Sequence, residues 1–269
     1  MKNIWKAFAL VFAAAMLMTG CAKAPTSGNA NASASPEAAS DLAYIQDKGE
    51  MVIGITEYEP MNFQENGEWT GFDTEFAKLV AEKLGVTAKF IVIEWDNKIA
   101  ELDSKAIDSV WNGMTLTDEV KKGMNCTDPY VINAQVLVTK ADKVDNYKAV
   151  EDLKDLTFVA ESGSAGEAAI KDAGYTCTAV STQADALLEV SSGAADACVI
   201  DITMAKAMTG EGTSYSDLAV GMSLTSEDYG IGFRKGSDVT AKVNEIIKEL
   251  KADGSLQKLA DKYSLTLAE

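Results

Sequence analysis

Two stretches of this chain carry polar side chains to the places where small molecules bind. The first is Asn112-Gly113-Met114-Thr115. It is expected to leave a short apolar strand at residues 107–111, turn at Asn112-Gly113, and enter a helix through Thr117-Asp118-Glu119. A Thr hydroxyl caps the free N–H groups of a helix start, and acids suit the positive end of its dipole. The second is Asp196-Ala197-Cys198-Val199-Ile200-Asp201, an apolar strand that ends in a carboxylate. Ligands of open α/β sheets collect where strands end and helices begin. The two strand ends therefore read as partners across a cleft. The chain has no His, which excludes Ser-His-Asp and Cys-His catalysis and the commonest metal ligand. Glu57, Glu59 and Asp201 are acids, but nothing pairs them at a spacing recognisable for acid–base work, and there is no phosphate loop. No enzyme activity, cofactor or metal is expected.

The elements that must position these groups follow from the apolar pattern. The chain has 269 residues, enough for one large domain or two lobes. Strands are expected at 51–56, 89–95 and 107–111, with helices at 73–84 and 96–104 between them. Asp73 or Thr74 is the expected cap of the first helix and Gly85 its terminator. Asn66-Gly67 marks a tight hairpin. A second run follows, with strands at 135–139, 156–160, 175–180, 197–200, 218–222 and 229–234. Its helices fall at 182–191, 202–208, 239–252 and 255–263, with another opening on Ser162-Gly163-Ser164-Ala165-Gly166-Glu167. This alternation predicts two α/β units built on parallel sheets, with helices on both faces. The two last helices are left over, so the C-terminus is expected to return to the first unit.

The charge is −17, from 24 Lys+Arg against 41 Asp+Glu. That argues against a nucleic-acid partner, which needs a basic surface. Residues 1–20 read as a secretion signal, with Lys2 and Lys6 ahead of an apolar run too short to span a bilayer comfortably. Leu17-Met18-Thr19-Gly20-Cys21 resembles a bacterial lipobox, which implies cleavage before Cys21 and lipidation of its thiol. Residues 22–40 are rich in Ala, Ser, Asn and Pro and read as a tether, reaching about 25 Å as a flexible coil. Cys126, Cys177 and Cys198 form no Cys-x-x-Cys pair, so zinc and dithiol redox sites are not expected. Cys177 and Cys198 read as two buried thiols, with a disulfide between them as the alternative.

Six segments in order carry a family resemblance: Gly71-Phe72-Asp73, Gly113-Met114-Thr115-Leu116-Thr117, Thr127-Asp128-Pro129-Tyr130, Asp196-Ala197-Cys198-Val199-Ile200-Asp201, Tyr229-Gly230-Ile231-Gly232-Phe233-Arg234-Lys235 and Leu250-Lys251-Ala252-Asp253-Gly254-Ser255. On these the chain resembles the extracellular solute-binding proteins of ABC transporters for polar amino acids, from about residue 47 to 265. The resemblance implies a periplasmic-binding-protein-like α/β fold of two lobes, joined by two crossover hinge strands, with ligand in the cleft. It implies a signal peptide at 1–20, a lipidated Cys and tether at 21–40, lobe 1 at 41–135 plus 228–269, and lobe 2 at 136–227. It also implies hinge closure on an amino acid, an ABC permease as partner, a monomer, and a place on the outer face of the cell membrane.

The family's ligand groups carry over unevenly. Asp201 matches the carboxylate that takes the ligand's α-ammonium, with capping of the next helix as its other reading. Gly113 and Thr115 match backbone and hydroxyl contacts, with Met114 between them. Ser164, Ala165 and Gly166 match the helix start that holds the carboxylate through N–H groups. Glu57, Tyr58, Met61, Trp95 and Asn112 are expected around the ligand side chain, with Trp111 either there or in the core. Val120 stands where most of the family has an Arg that forks the carboxylate. Arg234 is the one Arg of the chain. The resemblance implies an amino acid, here held without that clamp; the alternative is a carboxylate-free cation such as a quaternary amine or polyamine, which acids and aromatics together would suit.

Overall fold

The computed structural model describes residues 40–269. The signal segment, Cys21 and the tether up to residue 39 lie outside the described residues.

The chain starts with α1 (Asp41–Lys48), capped by the Ser40 hydroxyl on the Ala43 N–H and closed by Gly49 in the left-handed region. It then enters β1 (Glu50–Ile55), buried from Met51 onward. β2 (Phe63–Glu65) and β3 (Glu68–Thr70) pair antiparallel around Asn66-Gly67. Both turn residues have positive φ, 53° and 82°, the geometry that makes this dipeptide a hairpin signal. The first unit continues through α2 (Phe72–Leu84), β4 (Thr87–Val92), α3 (Lys98–Asp103), β5 (Ser109–Thr115), α4 (Asp118–Gly123), β6 (Asn125–Cys126) and β7 (Val131–Asn133). The second holds β8 (Gln135–Lys140), β9 (Phe158–Glu161), α5 (Ala165–Asp172), β10 (Cys177–Val180), α6 (Gln183–Ser192), β11 (Ala197–Asp201), α7 (Ile202–Met208) and β12 (Leu218–Ser223). The chain closes with β13 (Glu227–Phe233), α8 (Val239–Ala252) and α9 (Ser255–Lys262).

One sheet has the order β4-β1-β5-β13-β6, with β7 also on β13; the other has the order β10-β9-β11-β8-β12. The chain passes between them twice, at Ala134 between β7 and β8, and between β12 and β13. The alternation of strands and helices predicts parallel sheets; neither sheet is purely parallel. β13 runs antiparallel to β5, and β8 antiparallel to β11. Each is a passage strand that returns the chain, so it must run against the strands it joins. The C-terminal helices pack back on α2. The Tyr263 hydroxyl donates to Glu75 at 2.6 Å, and Lys83 pairs with Glu249 at 3.0 Å.

Three local expectations are corrected. Asn112-Gly113 is not a turn: β5 runs straight through it. The register against β13 slips between Val110↔Gly232 and Met114↔Gly230, a bulge that absorbs the positive φ of Gly113, 55°. α2 takes no side-chain cap from Asp73 or Thr74; its cap is Gly71. Both side chains turn inward instead, Asp73 to the Gly113 N–H at 2.6 Å and Thr74 to Asn62 Oδ1 at 2.7 Å. The three described cysteines are free, and Cys177 is only partly buried. β9 lies between the strands of Cys177 and Cys198, which sets them about 10 Å apart across two strand spacings, too far to bridge.

Candidate functional site

β5 is buried along its whole length and runs down the middle of the first sheet. Its C-terminal half meets the N-terminal ends of α5 and α6 across a cavity of about 350 Å³. That size suits a small polar molecule. Asn112, Gly113, Met114 and Thr115 line it from the first sheet, with Trp95 beside them; Ser164, Ala165 and Asp201 line it from the second.

Asp201 ends β11 and begins α7, yet its side chain makes no capping bond. The carboxylate turns instead toward the passages between the sheets. Oδ1 accepts from Asn133 Nδ2 at 2.5 Å, Gln135 Nε2 at 2.9 Å and the Tyr229 hydroxyl at 2.8 Å. Among the described residues Oδ2 accepts only from Gln183 Nε2, at 2.5 Å, which leaves it lone-pair capacity; Asp201 and Gln183 both line the cavity. The same two amide nitrogens also reach Glu227 Oε1, Asn133 at 2.7 Å and Gln135 at 2.6 Å. Two acids thus share two amides at the point where the chain crosses between sheets. Burial, with the charge of Glu227 second, pushes the Asp201 carboxyl up to about 7.

Two further buried charges face the cavity. Glu161 ends β9 and is 3% exposed; its Oε1 has no hydrogen-bond partner. Burial, then the charge of Asp201, pushes it up to about 8, while Lys98 pulls it down. Lys98 opens α3, is 6% exposed, and spans the gap between the two sheet systems. Its Nζ donates to the Trp95 carbonyl at 3.2 Å and the Gly163 carbonyl at 3.0 Å, 4.8 Å from the Trp95 ring centroid. Burial draws the ammonium below the usual lysine range, against the charges of Glu119, Asp96 and Glu161.

Several nominated residues do other work. Glu57 is exposed and off the cavity. Tyr58 lies beneath it, fully buried, with its hydroxyl bonded to Thr203 and to Tyr229, the residue that donates to Asp201. Met61 and Trp111 are core, Trp111 edge-on to Phe76 at 5.0 Å. Gly166 packs under the cavity floor, where a Cβ would strike the Val199 carbonyl. Among the residues that do line the cavity, Asn112 spends its amide on Thr56 and Asn62, at 2.7–2.9 Å. Gly113 spends its N–H on Asp73, and the Thr115 hydroxyl donates to Glu227 at 2.7 Å. The Ser164 hydroxyl accepts from the Glu167 N–H at 3.1 Å. Among the described residues, no protein acceptor takes the N–H of Ala165 or Gly166.

Sequence reasoning missed Lys98, Glu161, Gln183 and the Asn133–Gln135–Glu227 set. Two had a readable signal. Lys98 stands three residues after Trp95 and four before Leu102, on the apolar face of its helix. Glu161 is an acid at a strand's C-terminal end, as Asp201 is.

The buried acids set a pH dependence. Asp73, also fully buried, is pushed up to about 7, because burial outweighs the bonds from Gly113 and Tyr130. Together with Asp201 and Glu161 it binds protons more tightly folded than unfolded, where carboxyls titrate near 4. Between about pH 5 and 8 the folded state therefore holds more protons, and stability falls as pH rises through about 7 to 8. The melting temperature of the unliganded protein is expected to be several degrees lower at pH 8 than at pH 5. Calorimetric scans across that window check it; a rising curve would contradict these environments.

Comparison with known proteins agrees with this architecture. Residues 51–266 match the model of the bacterial extracellular solute-binding proteins, family 3. The L-cystine-binding protein TcyJ of Escherichia coli (strain K12) is 30% identical over 227 residues, covering 82% of this chain and 85% of its own. The arginine-binding extracellular protein ArtP of Bacillus subtilis (strain 168) is 31% identical over 225 residues, covering 80% and 86%. The crystal structure of the ancestral amino acid-binding protein AncCDT-1, a precursor of cyclohexadienyl dehydratase, is 34% identical with a TM-score of 0.76 over 83% of this chain and 99% of that one. The fold is the periplasmic-binding-protein-like α/β fold. No helix among the described residues is long and apolar enough to cross a membrane.

Proposed function

This chain belongs to the bacterial extracellular solute-binding proteins of family 3, and on that membership we propose that it captures an amino acid in the cavity between its sheets and delivers it to an ABC importer. The observation that carries the reading is Asp201: buried, lining the cavity, making no capping bond, and with acceptor capacity left on Oδ2. A desolvated carboxylate facing an α-ammonium makes a charge-assisted bond stronger than any neutral one. Residues 41–133 with 227–269 form one lobe, 135–223 the other, and the two close on the ligand about the passages at Ala134 and residues 224–226. Trp95, Met114, Thr115, Ser164 and Ala165 contact it. The curated relatives TcyJ and ArtP are named for amino acids, which favours that class over a carboxylate-free amine. The protein works as a monomer and has no catalytic role. Cys21 carries lipid, and the tether behind it keeps the receptor near the permease on the outer face of the membrane.

A thermal-shift panel of the twenty amino acids tests the reading. A ligand at a hundred times its Kd adds about 2.7 kcal/mol to stability. A small, chemically related subset is expected to raise the melting temperature by several degrees. A flat response to all twenty would overturn the assignment.

A further inference from the structure

The family's carboxylate clamp is missing, and the structure shows what stands in its place. Val120 lines the cavity. The one Arg, Arg234, is committed elsewhere, to Asp41 at 2.9 Å, Asp108 at 3.3 Å and the Ile107 carbonyl at 2.7 Å. Lys121 and Lys122 are exposed and off the cavity. Among the lining residues the cation is Lys98. Among the described residues it makes no salt bridge within 4.0 Å, and two of its three N–H bonds are spent on carbonyls. Its Gly163 partner lies two residues ahead of Ala165, whose N–H and that of Gly166 have no protein acceptor. Lys98 and the start of α5 therefore converge on one spot.

The balance of buried ionisable groups in the cavity is uneven. One ammonium, Lys98, faces two carboxyls, Glu161 and Asp201, 3% and 6% exposed. Glu161 has an oxygen with no partner, and a buried carboxylate left so is costly. No salt bridge joins it to Lys98. A ligand that completes this cavity carries one anionic group and two cationic ones. Resting on the amino-acid reading above, we propose that Lys98, with the N–H group of Ala165, holds the α-carboxylate, that Asp201 holds the α-ammonium, and that Glu161 takes a cationic side chain, so that the ligand is a dibasic amino acid. Glu161 then sets the choice of side chain, and Lys98 the demand for a carboxylate.

Titration calorimetry decides this with five probes: L-lysine, L-arginine, L-glutamine, L-citrulline and cadaverine. The wild type is expected to bind L-lysine or L-arginine at least a hundredfold more tightly than L-citrulline or L-glutamine. Glu161→Gln is expected to shrink that ratio below tenfold. Lys98→Met is expected to erase the preference for L-lysine over cadaverine, which lacks the carboxylate. Thermal unfolding checks that each variant folds; where one does not, the wild-type ratio decides. A hundredfold ratio retained by Glu161→Gln overturns the assignment of Glu161, and a preference retained by Lys98→Met overturns that of Lys98. If a neutral amino acid binds tightly and the dibasic ones do not, this inference fails and the amino-acid reading stands. If none of the twenty amino acids binds, both fail.

Discussion

Asp201→Asn is expected to weaken amino-acid binding by about 30-fold to about 4,000-fold, the range set by 2–5 kcal/mol for one partner of a buried, hydrogen-bonded charge pair. Three donors converge on Asp201 Oδ1 and one on Oδ2. An Asn can keep the Oδ1 bonds; with the charge it loses only the bond from Gln183 Nε2, which its own amide nitrogen cannot accept. The fold should therefore survive. Burial already holds the Asp201 carboxyl at about 7, so its ionised form is costly above that pH. At pH 8 the unliganded variant is expected to melt no lower than the wild type. Loss of binding with retained stability is the signature of a recognition charge; loss of both would assign Asp201 a structural role.

The second large effect falls on stability. Gly113→Ala is expected to cost about 2–4 kcal/mol, a sum of left-handed strain and overpacking. The φ of Gly113 is 55°. A Cβ there would lie 2.6 Å from the Tyr58 ring and 3.1 Å from that of Tyr229. Tyr58 is fixed through Thr203 and Tyr229, and Tyr229 holds Asp201, so the strain runs into the proposed ligand anchor and affinity is expected to fall too. Gly67→Ala is the control: its φ is 82° with open space around it, so it costs only the backbone term, about 1 kcal/mol. Urea unfolding of the two variants separates the terms. Equal losses would show that packing against Tyr58 contributes nothing.

What could be read from the residues follows from how local each signal is. Asn66-Gly67 and Gly85 mark their turns because positive φ is a property of one residue. The bounds of α7 and α8 agree with their apolar periodicity because tertiary contacts and propensity coincide there. Asp201 stands out because an acid at the end of an apolar strand conflicts with its surroundings. The rest depends on partners 40 to 171 residues away. Asn112 reads as a pocket amide until Thr56 and Asn62 are seen to consume it. Asp73 reads as a helix cap until Gly113 is seen above it. Tyr58 reads as a ligand contact, but its hydroxyl faces a buried relay. Glu161 and Lys98 carried the same kind of conflict as Asp201, one at a third strand end and one on an apolar helix face. Their meaning appears only when the two sheets meet.

The most direct test is titration calorimetry of Asp201→Asn beside the wild type at pH 8, each with the amino acid the panel selects. The account predicts a Kd raised at least 30-fold, set by loss of the buried charge. A variant that binds within about threefold of the wild type, less than 1 kcal/mol, would contradict it.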